Sequence, residues 1–229
     1  MDFHDSNEEA IFRAEARAWL EANVPTEAEL SPLDELQKAQ FWQKRKFSAG
    51  WACIHWPAEY GGRGGSAIEA VIFNQEEGKL LPNENRVFQL NHGVVGPTLM
   101  SLAREDDKLR LVPRIVSGED IWCQLFSEPA AGSDMAALRT RALKDGDEWV
   151  VNGQKIWTTG AQHADWGLLL ARTDPTVPKH KGLTCFYVDM NSSGIECKPI
   201  REISGGADFN EVYFTDVRIP RSEEHTSEL

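Results

Sequence analysis

The sequence has no apolar run near the roughly 18 residues that a membrane-spanning helix requires, so membrane insertion is not expected. It begins Met1-Asp2-Phe3-His4-Asp5, without the basic and apolar regions of a secretory signal, and a cytoplasmic protein is expected. Its four cysteines, Cys53, Cys123, Cys185 and Cys197, show no C-x-x-C spacing. Neither a zinc site nor a disulfide framework is therefore expected, and no other metal site is indicated. Basic residues are in the minority, 24 against 36 acidic, for a net charge of −12. That balance argues against nucleic acid as the main partner, although it leaves room for a local basic pocket. No internal repeat or low-complexity segment is present. What remains is ordinary: 229 residues, 41% apolar, enough for one domain or two small ones with a proper core.

The first half reads as helical. Ser6 and Glu9 form a capping-box pattern ahead of Phe12, Ala16, Trp19 and Leu20, which share one helical face. Pro25 and Pro32 punctuate a loop, and a second helix is expected from Asp34 to Ser48. Residues 51–65, with Pro57 and four glycines, read as irregular. Ser66 and Glu69 open another helix through Ile68, Val71 and Ile72, fading near Gly78 to Pro82. Pro97 fits the first turn of a helix carrying Leu99, Met100 and Leu102. Leu109, Val112, Ile115 and Val116 mark one more, stopped by Gly118.

After residue 120 the period becomes extended. Strands are expected over 121–126, 138–143, 149–151, 167–171, 183–188, 195–200 and 211–214, with Asp145-Gly146-Asp147 and Asn152-Gly153 as turns. Strands do not alternate with helices, so a Rossmann or TIM architecture is not expected. The fold class is α+β by segregation: an all-α domain over 1–119, then a β-barrel-like domain over 120–220. Residues 221–229, Arg-Ser-Glu-Glu-His-Thr-Ser-Glu-Leu, resemble the in-frame translation of a sequencing-library adapter. They are expected to be non-native, with the natural protein continuing past Pro220.

Two segments invite a chemical reading. In residues 124–134, Gln-Leu-Phe-Ser-Glu-Pro-Ala-Ala-Gly-Ser-Asp, a strand runs into a turn of small residues with two serine hydroxyls. Small residues let backbone N–H groups approach an anionic or heterocyclic ligand; taken alone, the segment also reads as a surface turn. In residues 152–161, Asn-Gly-Gln-Lys-Ile-Trp-Thr-Thr-Gly-Ala, Trp157 suits stacking on a planar ring, and equally suits a core position.

Together the two segments resemble the acyl-CoA dehydrogenase family, whose middle β-domain carries a T-E-P-x-A-G-S-D loop and a K-x-W-I-T strand. Trp56-Pro57-Ala58-Glu59-Tyr60-Gly61-Gly62 is similar to that family's W-P-x-E-Y-G-G stretch. Residues 209–220, Phe-Asn-Glu-Val-Tyr-Phe through Val-Arg-Ile-Pro, are similar to its late β-domain strand. The motifs keep family order from about Ser6 to Pro220.

The resemblance implies an N-terminal helical domain, a middle β-domain that holds FAD, and a C-terminal helical bundle that this sequence does not contain. It implies that Gln124, Phe126 and Ser127 lie along the flavin, that Trp157 covers it, and that Thr158 and Thr159 adjoin it, Thr159 by a hydrogen bond. It places Ser133 where FAD phosphate and CoA come close, making that residue both cofactor- and substrate-binding. Ser127 departs from the usual Thr but keeps the hydroxyl, Ala130 replaces a common Gly, and Gln124 stands where an aromatic residue is frequent. The implied reaction is α,β-dehydrogenation of an acyl-CoA thioester. Its base comes from the C-terminal domain, so no catalytic residue is assigned here. An electron-transferring flavoprotein is the implied electron acceptor, and the full-length form is a homo- or hetero-oligomer. The alternatives are an acyl-CoA oxidase or flavin monooxygenase of the same fold, or a non-catalytic subunit of a mixed oligomer.

The remaining candidates read as structural. Glu128 suits bonding of loop backbone, and His92, His163 and His180 lack a partner at ligand spacing. Asp106 and Asp107 fit a solvated helix start, Lys179-His180-Lys181 a solvated loop able to touch an anion, and Cys123 a buried small apolar position.

Overall fold

The computed structural model describes residues 5–81 and 87–226. They divide into two compact units, residues 5–100 with Glu105–Glu119, and Ser101–Arg104 with 120–226.

The first unit is helical: α1 (Asn7–Asn23), α2 (Glu27–Leu30), α3 (Glu35–Ser48), α4 (Ala67–Leu80), α5 (Gly96–Leu102) and α6 (Glu105–Ser117). Both expected capping boxes form: Glu9 N–H donates to Ser6 Oγ, and Glu69 N–H to Ser66 Oγ. Two more appear that were not expected. Thr26 with Glu29 starts α2 inside the supposed Pro25–Pro32 loop, and Asp34 with Gln37 starts α3.

Phe12, Ala16 and Leu20 of α1 are buried against Trp42, Trp51, Ile72 and Phe73, with Trp19 packed on the cluster. Trp19 stacks on Trp42 at 5.5 Å and on Trp51 at 5.7 Å, and Trp51 on Phe73 at 5.3 Å. Each such ring removes enough apolar surface from water to contribute about 1.5–3 kcal/mol.

On α4 the expected face is only partly right. Ile68 and Val71 are both 48% exposed, while Ile72, Phe73, Glu76 and Glu77 are buried. The carboxylates turn inward because cations meet them there. Glu76 accepts from Arg13 at 2.9 Å, Arg17 at 2.9 Å and Lys79 at 2.6 Å. Glu77 accepts from Trp42 Nε1 and Lys46 Nζ, each at 2.7 Å. On α6, Leu109 faces out, whereas Asp107, expected to be solvated, is buried and lies 3.2 Å from Arg110. Pro97 does fall in the first turn of α5, but the chain enters from a π-helical turn, Asn91–Val95, rather than from a loop. The wider turn suits a residue that has no N–H to give. No helix among the described residues is long and apolar enough to cross a membrane.

The second unit is a sheet of eight strands curled into half a barrel. They are β1 (Trp122–Leu125), β2 (Arg141–Asp145), β3 (Glu148–Thr159), β4 (Trp166–Arg172), β5 (Leu183–Asp189), β6 (Ile195–Ile200), β7 (Phe209–Pro220) and β8 (Glu224–Thr226). The order is β6-β7-β3-β2-β4-β5-β8, with β1 parallel to β4. Its core buries Cys123, Leu125, Ala142, Val151, Leu169, Ala171, Phe186, Val212, Phe214 and Val217.

Asp145-Gly146-Asp147 links β2 to β3, with Gly146 at φ +64°. Asn152-Gly153 is not the expected turn. It lies inside β3, where the register with β7 slips between Val151 and Gly153. A Cβ on Gly153 would collide with Thr140, so glycine allows the close approach. Asn152 bridges the bulge by donating to Asp216 Oδ1 at 2.9 Å and accepting from Asp216 N at 3.0 Å. Residues 221–226 continue as a 3-10 turn and β8, which pairs with β5.

Candidate functional site

β1 alternates its side chains, so Cys123 and Leu125 enter the sheet core while Trp122 and Gln124 share the opposite face. The strand ends there, and the chain crosses to β2 through a loop from Phe126 to Thr140. A carboxylate folds this loop. Glu128 is buried and accepts from Arg139 N at 2.6 Å, Thr140 N at 2.9 Å and Lys155 Nζ at 2.8 Å. Its backbone exchanges two hydrogen bonds with Ala131, closing a tight turn over Pro129 and Ala130. Burial pushes the Glu128 carboxyl up, but the Lys155 charge and the donors outweigh it, and its pKa falls below the ordinary value. Glu128 is thus the loop-bonding residue that the sequence led us to expect.

Lys155 is fully buried and donates a second bond, to Phe126 O at 3.1 Å. One residue on, Ile156 N donates to Ser127 O at 2.9 Å. The end of β1 and the middle of β3 are therefore held together through consecutive carbonyls. Directly after this join the register of β3 against β7 slips by one residue between Lys155 and Thr158. The bulge throws Trp157 out: it sits at φ +60° and is 58% exposed, touching Phe209 edge-on at 6.2 Å. A left-handed backbone is costly for a bulky aromatic, and such strain persists only where the surroundings impose it.

The polar side chains here contrast with Glu128 and Lys155. Thr158 Oγ1 is buried without a hydrogen-bond partner, although its carbonyl accepts from Asn210 Nδ2 at 3.0 Å. Asn210 Oδ1 is buried and unpartnered too, while Asn210 Nδ2 also donates to Gln162 Oε1. Gln124 and Ser127 are half-buried, and Ser133 and Thr159 are exposed. Burying a polar atom without a partner costs about 1–3 kcal/mol, a cost that Thr158 Oγ1 and Asn210 Oδ1 bear here.

Gln124, Phe126, Ser127, Trp157, Thr158 and Thr159 all fall on the joined ends of β1 and β3. Ser133 is carried further along the loop. Its neighbour Asp134 pairs with Lys179 at 2.7 Å, and Arg172 donates to Ala136 O at 2.6 Å and to Leu138 O at 3.4 Å. Lys179 is therefore tied to the loop, not merely solvated. His163 and His180 are exposed. His92 lies in the helical unit, between Trp56 at 5.8 Å and Phe88 at 5.5 Å, with Nε2 unpartnered. No cluster of His, Cys, Asp and Glu able to hold a metal occurs among the described residues.

Lys155, Asn210 and Arg172 escaped the sequence reading. A signal existed for Lys155: it shares the inward period-2 face of β3 with Val151 and Gly153, a place where an unpaired lysine is untenable.

Comparison with known proteins agrees in both units. The pattern of acyl-CoA dehydrogenase N-terminal domains matches residues 6–119, and that of the middle domains residues 123–217. Acyl-CoA dehydrogenase IpdE1 of Mycobacterium tuberculosis is 39% identical over 215 residues, which is 90% of this chain and 56% of that protein. Acyl-CoA dehydrogenase FadE34 of the same organism is 46% identical over 171 residues, 75% of this chain and 24% of that protein. Among solved structures, the Tcur3481–Tcur3483 steroid ACAD superposes with a TM-score of 0.80 at 35% identity, covering 98% of this chain and 58% of that one. The ChsE4–ChsE5 complex from Mycobacterium tuberculosis superposes with a TM-score of 0.80 at 32% identity, covering 100% and 58%. The chain thus spans little more than half the length of most of the relatives it matches. With the sequence pattern, the helical and half-barrel units and these likenesses in agreement, the chain belongs to the acyl-CoA dehydrogenase family, whose members are FAD-dependent oxidoreductases.

Proposed function

We propose that the whole protein catalyses FAD-dependent α,β-dehydrogenation of an acyl-CoA thioester and passes the electrons to an electron-transferring flavoprotein. The observation that carries this reading is the contrast at the joined ends of β1 and β3. A strained Trp157 projects into solvent beside two buried polar atoms, Thr158 Oγ1 and Asn210 Oδ1, that find no partner in the protein, close to a Lys155–Glu128 pair that is satisfied. That combination fits a planar heterocycle with a hydrogen-bonding edge: the indole supplies a stacking face, and Gln124, Ser127, Thr158 and Thr159 supply polar atoms. Bound there, FAD would supply the acceptor for the substrate's β-hydrogen.

This chain's own residues would then do three things. Ser127, through N–H and hydroxyl, would donate to the ring edge where negative charge develops. Trp157 would shield one face from water. Ser133, on the loop held by Glu128, Arg172 and Lys179, would reach the phosphate-rich part of FAD and of CoA. The base that removes the α-proton is assigned to the C-terminal helical domain of the family. A steroid-derived acyl group is the substrate class we favour, because one similar protein, solved with and without a point substitution, is described as a steroid ACAD. One similar structure is a complex of two different chains, and we place this protein in an oligomer likewise.

FAD titration of Trp157→Ala against Trp19→Ala tests the reading. Trp157→Ala should weaken FAD retention roughly tenfold and change its absorption, as loss of about 1–3 kcal/mol of stacking requires. Trp19→Ala should lower stability alone. Equal flavin behaviour in the two variants would return Trp157 to a structural role.

A further inference from the structure

We propose that Lys155 is a positioning residue that polarises the Phe126–Ser127 peptide, so that the Ser127 N–H becomes a strong, fixed donor toward a ligand gaining negative charge. The inference rests on the FAD reading above and adds a residue to it. In a trans peptide the carbonyl and the N–H point in opposite directions. The Phe126 carbonyl points at Lys155 Nζ, 3.1 Å away. The N–H of the same peptide, on Ser127, therefore points away from β3, and no protein acceptor meets it among the described residues. The next carbonyl, that of Ser127, is also fixed, by Ile156 N at 2.9 Å. Two successive peptide planes are thus pinned from behind, leaving the Ser127 N–H free in front.

Lys155 is a costly way to pin them. It is 0% exposed, and its counter-ion Glu128 is 5% exposed. Buried ion pairs rarely add net stability over a well-packed apolar pair, so stability does not account for this one. What a cation gives that an apolar side chain cannot is polarisation. A charge on the carbonyl oxygen draws electron density through the amide and strengthens its N–H as a donor. The effect grows as charge builds on the acceptor, which separates it from ordinary binding.

The test uses Lys155→Met, which removes both tether and charge, and Lys155→Gln, which keeps a donor and removes the charge. The readout is the ratio of affinities for reduced and oxidised FAD, obtained from the flavin midpoint potential of the loaded protein. That ratio should fall about tenfold in Lys155→Met, a potential about 30 mV more negative for a two-electron couple, and should also fall in Lys155→Gln. A purely structural lysine would weaken both redox forms alike and leave the ratio unchanged. An unchanged ratio in either variant that still loads FAD overturns the proposal. If the wild-type chain takes up no FAD, the functional reading fails, and the Ser127 amide nitrogen shift of the unloaded chain decides this one. A shift that moves in both variants supports polarisation, and one that stays put overturns it.

Discussion

The helical unit and the β1–β3 junction treat buried polar groups in opposite ways. In the helical unit, the carboxylates of α4 are turned inward and satisfied: three cationic side chains surround Glu76, and Trp42 with Lys46 holds Glu77. At the junction, Thr158 Oγ1 and Asn210 Oδ1 are buried without partners, and Trp157 is held in a backbone conformation it disfavours. Satisfied buried charge serves a fold; at the junction, unsatisfied polarity and backbone strain coincide at the place where we propose that FAD binds.

The largest expected effect is on the scaffold side. Lys46→Met takes the cation from the buried Glu77 carboxylate, which Trp42 Nε1 also bonds, and should cost about 3–5 kcal/mol in urea unfolding followed by tryptophan emission. Lys46→Met/Glu77→Gln should recover most of that loss, because Gln still accepts from Trp42 and no charge is stranded. A double variant as unstable as the single one would mean that packing, not charge, holds this place.

His92 sharpens the comparison, since it is the helical unit's own exception. Burial first, and the Lys46 charge second, push its pKa down to about 4 from 6.5, against a backbone hydrogen bond with Ile115 that pulls it up. The unfolded chain therefore binds the proton more readily than the folded one between pH 6.5 and pH 4. Stability should fall as pH drops through that window, by roughly 3 kcal/mol in all, and stay lost below it. His92→Phe should flatten this part of the pH–stability curve; an unchanged slope would place the proton elsewhere.

How much of this was legible in the sequence follows from how local each cause is. Capping boxes at Ser6 and Ser66 are four-residue patterns and were readable; those at Thr26 and Asp34 have the same form and were masked by the nearby prolines. Strand identity was readable from β-branched and apolar runs. The role of Asn152-Gly153 was not, because the same dipeptide serves a turn or a bulge, and Thr140 and Asp216, distant in sequence, decide which. The Gln124–Ser127 and Trp157–Thr159 segments were legible as a pair only through family resemblance. Their joining, through Lys155 to Phe126 O and Ile156 to Ser127 O, depends on strand register that no local pattern encodes. Ile68, Val71 and Leu109 were misplaced for a related reason: helical period finds an apolar face only where apolar residues alone are buried.

The smallest effect is the most diagnostic of strain. At an ordinary exposed strand position alanine is preferred over glycine by about 0.5–1 kcal/mol, because glycine loses more freedom on folding. Trp157 lies in β3 and is largely exposed, but at φ +60°. There a Cβ costs roughly 1–2 kcal/mol that glycine escapes. Trp157→Gly should therefore be more stable than Trp157→Ala by about 1 kcal/mol, the reverse of the usual order. Both variants lose the indole, so both should lose FAD retention to the same degree. Thermal unfolding of the two, run with and without FAD, reads the two quantities separately. Alanine above glycine would mean that the bulge relaxes once the ring is gone, so that the indole itself imposes the strain. Glycine above alanine, with FAD retention equally lost, would mean that the backbone is set by Lys155, Ile156 and the β7 register, and that the fold bears a standing cost to hold the ring where we propose that the flavin lies.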